Sequence, residues 1–165
     1  NALRVLGKGA GITVLVLDTL KGLVVVVFLA GIISSKTNLL SNELLSIIFG
    51  VACIIGHIWT IFLGFIGGKG MAATLGVLLG LAFKISGLKI VLGIVILIWL
   101  IIFILTRIVS LSSILSAAAL PILMIIFKQA GVLIFVSFLL SALVIYRHKS
   151  NLKRIFAGKE PQIKI

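Results

Sequence analysis

The chain has 165 residues, of which 62% are hydrophobic and 11% charged, and its mean hydropathy is +1.42. A soluble domain of this size cannot bury that much apolar surface, so the composition excludes an ordinary soluble fold and favours a bilayer environment. Fifteen Lys and Arg against three acidic residues give a net charge of +12. Because these cations lie between long apolar runs, they favour anionic lipid or a phosphorylated substrate over nucleic acid.

Six apolar segments are candidates for membrane-spanning helices, each of which needs roughly 17–25 mostly apolar residues. The third is the shortest, because its strictly apolar core runs only from Met71 to Phe83, and Lys84 is expected to complete it by snorkelling to the interface. The sequence therefore predicts an all-α fold, a polytopic transmembrane helix bundle in a single domain covering 1–165. The predicted crossings are 9–33, 44–62, 69–85, 88–106, 110–127 and 130–146.

Basic residues concentrate on one predicted membrane face. Six crossings place both ends of the chain on the same side, and that side holds ten of the fifteen cations. The positive-inside rule makes this face cytoplasmic. The ten cations are Arg4, Lys8, Lys69, Arg107, Arg147, Lys149, Lys153, Arg154, Lys159 and Lys164.

The first crossing carries Asp18 and Lys21, which lie three residues apart on one helix face. A charge inside a membrane costs roughly 2.5–3.5 kcal/mol on insertion scales, so the two are expected to neutralise each other. The pair either orients neighbouring motifs or contacts substrate, and we favour the structural role. His57 ends the second crossing, and as a lone histidine it too is interpreted as structural.

A glycine-rich segment, GFIGGKG at 64–70, leads into the third crossing. Glycines let backbone N–H groups point at an anion, the helix N-terminus adds a positive dipole end, and Lys69 adds a full charge. This combination predicts a phosphate site, with a flexible turn as the alternative. It is not a Walker A loop, because the spacing is short by one residue and Gly70 follows the lysine. In the helix beyond, Gly76 and Gly80 predict close packing against a neighbouring helix.

Two later segments carry polar groups at the same predicted face. At the turn 107–113, Arg107 and Ser110 either bind phosphate oxygens or serve as a snorkelling arginine and a helix cap. The segment after the last crossing places His148 three residues before Asn151, which would share one face if the helix continues. A basic tail of this kind is usually a lipid-surface anchor. A histidine beside an asparagine is less usual and could hydrogen-bond a polar substrate.

Carboxylates are scarce, so catalysis at this face would depend on clamping anions and orienting reactants. Two other functions use the same features. The first is a small transporter or channel for an anionic solute, although its glycines would be expected near mid-membrane. The second is a noncatalytic lipid-binding membrane protein.

As an ordered set, these segments resemble the PlsY family, the bacterial membrane acyl-phosphate:glycerol-3-phosphate acyltransferases. The resemblance spans nearly the whole chain in the family's order and spacing. Ile66 stands where a lysine is common, Thr60 where a proline is common, and Ser150 where a glutamate is usual. The matching stretches are NALRVLGK (1–8), LDTLKG (17–22), GH (56–57), FLGFIGGKG (62–70), RIVSL (107–111) and YRHKSNLKR (146–154), followed by Ala157-Gly158.

The resemblance implies transfer of a fatty acyl group from acyl phosphate to the 1-hydroxyl of glycerol 3-phosphate, without metal or cofactor. It implies a monomer in the bacterial cytoplasmic membrane, with the active site facing the cytoplasm. The family has seven crossings and a Gly-Ser-Gly-Asn-type stretch before the position of Asn1, so we expect a helix and the start of that motif upstream.

The resemblance also implies roles for individual residues. Lys69, His148 and Asn151 match catalytic positions, and together with Arg4 they match positions that bind glycerol 3-phosphate. Glycines 67, 68 and 70, with Ser110, match the surroundings of the acyl phosphate. Supporting roles fall to Asp18, Lys21, His57 and Arg107. Apart from the three catalytic residues, the residues expected to bind substrate are Arg4, Gly67, Gly68, Gly70 and Ser110.

Overall fold

The computed structural model of the protein describes residues 7–37 and 40–163, and no β-strand occurs within those two ranges. The all-α prediction is therefore confirmed. The first helix, α1, passes through a π-helical turn into α2, and a 3-10 turn follows α3. The helices are α1 (Gly7–Val24), the π turn (Val25–Leu29), α2 (Ala30–Lys36), α3 (Asn42–Ile58), the 3-10 turn (Ile61–Leu63), α4 (Met71–Lys84), α5 (Leu88–Thr106), α6 (Val109–Ile126), α7 (Gly131–Arg147) and α8 (Lys149–Phe156).

In the described ranges, four helical stretches are long and apolar enough to cross a membrane. Helices α7 and α8 meet at a bend of 60° and could together form a fifth. Helix α4 has 14 residues, which is about 21 Å of helix against a hydrocarbon core of about 30 Å. All six predicted segments are helical, but the number of crossings remains a prediction. The four stretches are Gly9–Lys36, Asn42–Leu63, Leu88–Thr106 and Val109–Ile126.

The chain divides into two compact units, Asn1–Ser86 and Gly87–Ile165. In the first unit, glycines bring α1 and α4 into close contact. A Cβ added to Gly76 would overlap the carbonyl oxygen of Thr19, and one added to Gly22 would lie 2.5 Å from the carbonyl oxygen of Ala73. A Cβ on Gly80 would lie 2.8 Å from Val26. The predicted close packing by Gly76 and Gly80 is confirmed, and the neighbours are α1 and the π turn that follows it.

Lys84 ends α4 inside a cluster of oxygen atoms. Its ammonium donates to the Val26 carbonyl at 2.7 Å, and to Asn42 Oδ1 and Ser46 Oγ at 2.9 Å each. The Val26 carbonyl lies in the π turn, where the regular hydrogen-bond ladder is interrupted. Lys84 therefore binds back into its own unit, whereas the sequence predicted that it would snorkel away from it.

In the second unit, α6 packs against both α5 and α7. Small buried serines on α6 and α7, such as Ser116 and Ser141, allow neighbouring helices to approach closely. Trp99 of α5 donates its indole N–H to Ser113 of α6 at 3.2 Å. The chain then returns to the α5–α6 turn, where the amide of Ile163 donates to the carbonyl of Arg107 at 3.0 Å.

Candidate active site

The glycine loop 64–70 is held by the last turn of α3. The amide of Gly67 donates to the carbonyl of Ile58 at 3.1 Å, and the amide of Gly68 donates to the carbonyl of His57 at 3.2 Å. These carbonyls lie in the final helical turn, where no intrahelical partner exists. The sequence predicts loop amides that point at an anion. For Gly67 and Gly68 this expectation is wrong, because both amides are directed at the end of α3.

Close approach is the reason that glycine occupies both positions. A Cβ at Gly67 would overlap the carbonyl oxygen of His57, and a Cβ at Gly68 would overlap Nε2 of the His57 ring. Gly70 adopts a left-handed conformation, with φ +85°, at the N-cap of α4. A side chain at any of these positions would displace the loop or strain its backbone.

The positive groups that remain for an anion are at the start of α4. The amide of Thr74 donates to the carbonyl of Gly70 at 2.8 Å, so the helical ladder begins there. By helix geometry, the amides of the first turn point outward and carry the positive end of the helix dipole. Lys69 lies two residues before Met71 and is partly exposed. This arrangement can bind a phosphate group without the amides of Gly67 and Gly68.

Asp18, Lys21 and His57 form one polar cluster beside the loop. The Lys21 ammonium lies 2.5 Å from Asp18 Oδ1 and 2.6 Å from His57 Nδ1. His57 Nδ1 lies 3.4 Å from the same carboxylate oxygen. These three residues line a cavity of about 400 Å³ together with Gly68 and Thr60. The structure therefore brings three of the four predicted supporting residues together and adds a contact between His57 and the loop.

In the second unit, Glu160 joins two predicted site residues. Its Oε1 accepts hydrogen bonds from Ser110 Oγ and Asn151 Nδ2, each at 2.7 Å. Its Oε2 accepts from Arg154 Nε, also at 2.7 Å. The carboxylate is buried, with 2% of its side-chain surface exposed. Glu160 thus connects the start of α6, helix α8 and the tail.

Hydrogen bonding keeps Glu160 ionised. Burial alone would raise its pKa, but the hydrogen bonds from Arg154, Asn151 and Ser110, with the Arg154 charge, outweigh burial and lower the pKa from 4.5 to about 2. The carboxylate therefore acts as an acceptor at neutral pH. Because the Ser110 hydroxyl proton is directed at Glu160, Ser110 positions this carboxylate here, and its predicted contact with acyl phosphate remains a prediction.

His148 lies at the junction of α7 and α8, where the helix bends by 60°. Its Nδ1 lies 2.8 Å from the Val144 carbonyl, which can only accept, so Nδ1 carries a proton. In the neutral ring, Nε2 is then the acceptor nitrogen. His148 and Asn151 are each 3% exposed, so both lie on the buried side despite the bend. The expected shared face is present, although α7 does not continue straight.

Of the two remaining predicted residues, the structure describes Arg107 but not Arg4. Arg107 ends α5 in a left-handed conformation, with φ 58°, and its carbonyl accepts the hydrogen bond from Ile163. Its backbone thus shapes the α5–α6 turn and contacts the tail, and its supporting role in the site remains a prediction. Arg4 lies outside the described residues.

Sequence reasoning did not identify Glu160 as part of the site. Its contact with Ser110 joins residues 50 positions apart, and no local pattern of apolar residues reports such a pairing. One signal was present, because Glu160 is the only acidic residue in the otherwise basic tail 147–165.

Comparison with known proteins identifies the family. Residues 1–158 match the family model described as glycerol-3-phosphate acyltransferase. The chain is 39% identical to the glycerol-3-phosphate acyltransferase of Synechococcus sp. (strain CC9902) over 163 residues, covering 99% of this chain and 75% of the relative. It is 38% identical to that of Geotalea daltonii over 160 residues, covering 97% of this chain and 76% of the relative.

The fold matches crystal structures of PlsY, an integral membrane glycerol 3-phosphate acyltransferase. The lysophosphatidic acid form aligns with a TM-score of 0.79 at 31% identity, covering 98% of this chain and 76% of that chain. The glycerol 3-phosphate form aligns with a TM-score of 0.80 at 33% identity, covering 98% and 75%. The similarity in sequence and the similarity in fold therefore agree over nearly all of the residues. This multi-span integral membrane chain belongs to the glycerol-3-phosphate acyltransferase family, of the PlsY type.

Proposed function

We propose that this protein transfers a fatty acyl group from acyl phosphate to the 1-hydroxyl of glycerol 3-phosphate, producing lysophosphatidic acid and inorganic phosphate for phospholipid synthesis. The family supports the acceptor, since the related PlsY has been solved in a glycerol 3-phosphate form. The observation that carries the proposal is the start of α4, where Lys69, a left-handed Gly70 and outward-pointing helix amides favour a phosphate group.

The reaction needs cations more than it needs a strong base. The C1 hydroxyl oxygen attacks the acyl carbon, the bond from that carbon to the phosphate oxygen breaks, and phosphate leaves with the electron pair. We propose that a phosphate oxygen takes the hydroxyl proton, since the second pKa of a phosphate is about 6. Both substrates are anions, so positive groups offset their repulsion and stabilise the departing phosphate.

Each group of residues has a proposed task. Lys69 binds a substrate phosphate as a point charge, and Gly70 with the first turn of α4 binds acyl phosphate. His148 and Asn151 hydrogen-bond the polar body of glycerol 3-phosphate, with Asn151 held by Glu160. Arg4 is proposed to contact the glycerol 3-phosphate phosphate. The basic residues favour a cytoplasmic orientation in the bacterial inner membrane.

The donor can be tested directly with purified protein in detergent. Glycerol 3-phosphate is supplied with either palmitoyl phosphate or palmitoyl-coenzyme A, and the product is analysed by mass spectrometry. We expect lysophosphatidic acid in the reaction with palmitoyl phosphate and none in the reaction with palmitoyl-coenzyme A. Product from the coenzyme A ester alone would refute the donor assignment while leaving the acyltransferase activity in place.

A further inference from the structure

His57 contacts the glycine loop on one side and a charged pair on the other. Its backbone carbonyl accepts the hydrogen bond from the amide of Gly68 at 3.2 Å, and its ring Nε2 is so close to the loop that a Cβ added to Gly68 would overlap it. On the opposite edge of the ring, Nδ1 lies 2.6 Å from the ammonium of Lys21. The ring therefore lies between helix α1 and the segment that leads to Lys69.

The chemistry of Lys21 decides which ring nitrogen of His57 carries the proton. An ammonium group has three donors and no acceptor, so at 2.6 Å Nδ1 accepts from it. The acceptor that a proton on Nδ1 could use instead, Asp18 Oδ1, lies farther away at 3.4 Å and already accepts from the same ammonium. A proton on Nδ1 would face a like charge at 2.6 Å. The neutral ring is then protonated at Nε2, and this N–H faces the loop. His148 has the opposite tautomer, because its Nδ1 donates to the carbonyl of Val144.

Asp18 completes this arrangement from the same helix. Its carboxylate lies 2.5 Å from the Lys21 ammonium, so the pair is neutral overall and the lysine is held against the histidine. Without the carboxylate, rotation of the ammonium toward water would be favoured, since an unpaired charge away from water is costly. Orientation by an outer partner is the usual way in which a functional histidine is fixed.

We propose that His57 is a positioning residue for the phosphate loop: Asp18 and Lys21 fix its tautomer and rotation, so that its Nε2–H side holds Gly67–Gly70 in the conformation that presents Lys69. The charged pair thus has a structural task that is specific to one ring and one loop. The expected effect of His57 substitutions on kcat/KM rests on the proposed function. The expected position of the proton on the His57 ring does not.

The tautomer can be read by nitrogen NMR of protein carrying ¹⁵N-labelled histidine. The His57 signals are assigned as those lost in His57→Gln. We expect a protonated Nε2 and a non-protonated Nδ1 in the natural chain, and a mixture of tautomers in Lys21→Met. Lys36→Met, which removes an exposed lysine of the same unit, should leave the signals unchanged. A protonated Nδ1 in the natural chain, or an unchanged tautomer in Lys21→Met, would overturn the inference.

A pair of substitutions separates positioning from simple space filling. In His57→Gln, an amide N–H can still reach the loop, whereas His57→Phe keeps the ring but removes its donor. We expect His57→Phe to lower kcat/KM about tenfold or more, since small misplacements of reacting groups are costly. His57→Gln should retain several times the activity of His57→Phe. Activity in His57→Phe equal to or above that in His57→Gln would contradict the proposed role.

The two tests fail in different ways. If the natural chain does not turn over palmitoyl phosphate but the His57 tautomer responds to Lys21→Met, the proposed function is wrong and the positioning contact stands. If turnover is normal and the tautomer does not respond, the proposed function stands and this inference is wrong.

Discussion

At the scale of single residues, Glu160 is the only acidic group in the tail, and it satisfies three donors at once. The substitution Glu160→Gln would remove the charged acceptor of three donors, which belong to Ser110, Asn151 and Arg154. The new amide would also direct an N–H group at one or more of these donors. Hydrogen bonds to buried charged groups are worth about 1.5–3 kcal/mol each. We expect this variant to unfold several degrees lower in a thermal melt in detergent. Glu43→Gln is the matched control, since Glu43 is exposed at the start of α3, and an equal loss in both variants would contradict the assignment.

The same carboxylate predicts a dependence of stability on pH. Its pKa is about 2 in the folded chain and ordinarily 4.5, so below pH 4.5 the unfolded chain binds a proton more readily than the folded chain does. The stabilisation is therefore complete above about pH 4.5 and is lost as the pH falls from there toward 2. Melting curves at steps across this range should show a decline that is smaller in Glu160→Gln. Equal declines in both proteins would mean that other groups cause it.

Lys69 carries the charge that the proposed site depends on. Lys69→Ala should reduce acyl transfer by about a hundredfold or more, because a preorganised cation is lost beside developing negative charge. The melting temperature should stay close to that of the natural chain, since the side chain is partly exposed. Lys89→Ala removes an exposed lysine of α5 and should leave the rate unchanged. Turnover of Lys69→Ala at the level of this control would refute the site assignment.

At the scale of helices, the contact between α1 and α4 places the charged pair and the glycine loop 64–70 in one unit. Gly76→Ala should destabilise the chain by a few kcal/mol, since its Cβ would overlap the backbone of Thr19 and an overpacked contact must open. Gly31→Ala in α2 meets no atom within 4 Å and should be neutral or slightly stabilising. Thermal unfolding of the two variants compares them directly. If Gly76→Ala is as stable as Gly31→Ala, α1 and α4 do not pack as described.

The helices were predictable because lipid requires long apolar runs, and such runs are visible in the sequence. The loop was predictable only in part. Four glycines before a helix indicated a special backbone, but the direction of the Gly67 and Gly68 amides depends on the carbonyls at the end of α3. Those carbonyls need partners because a helix end leaves them without any, and local sequence does not show which amides will reach them.

At the scale of the whole chain, charge and composition predicted the class of protein and the chemistry of its substrates. A carboxylate-poor, cation-rich chain is suited to anionic reactants, and the family membership agrees with this. The number of crossings could not be obtained in the same way, since α4 is short and the bend at His148 leaves two interpretations of α7 and α8. Length alone does not decide whether such helices span a bilayer.

In the proposed reaction, acyl transfer couples acyl phosphate to glycerol 3-phosphate. The most direct test supplies purified protein with palmitoyl phosphate and measures phosphate release with and without glycerol 3-phosphate, alongside the amount of lysophosphatidic acid. We expect that phosphate release requires glycerol 3-phosphate and that one phosphate appears for each lysophosphatidic acid formed. Release that is equal without the acceptor, or no turnover from well-folded protein, would contradict it.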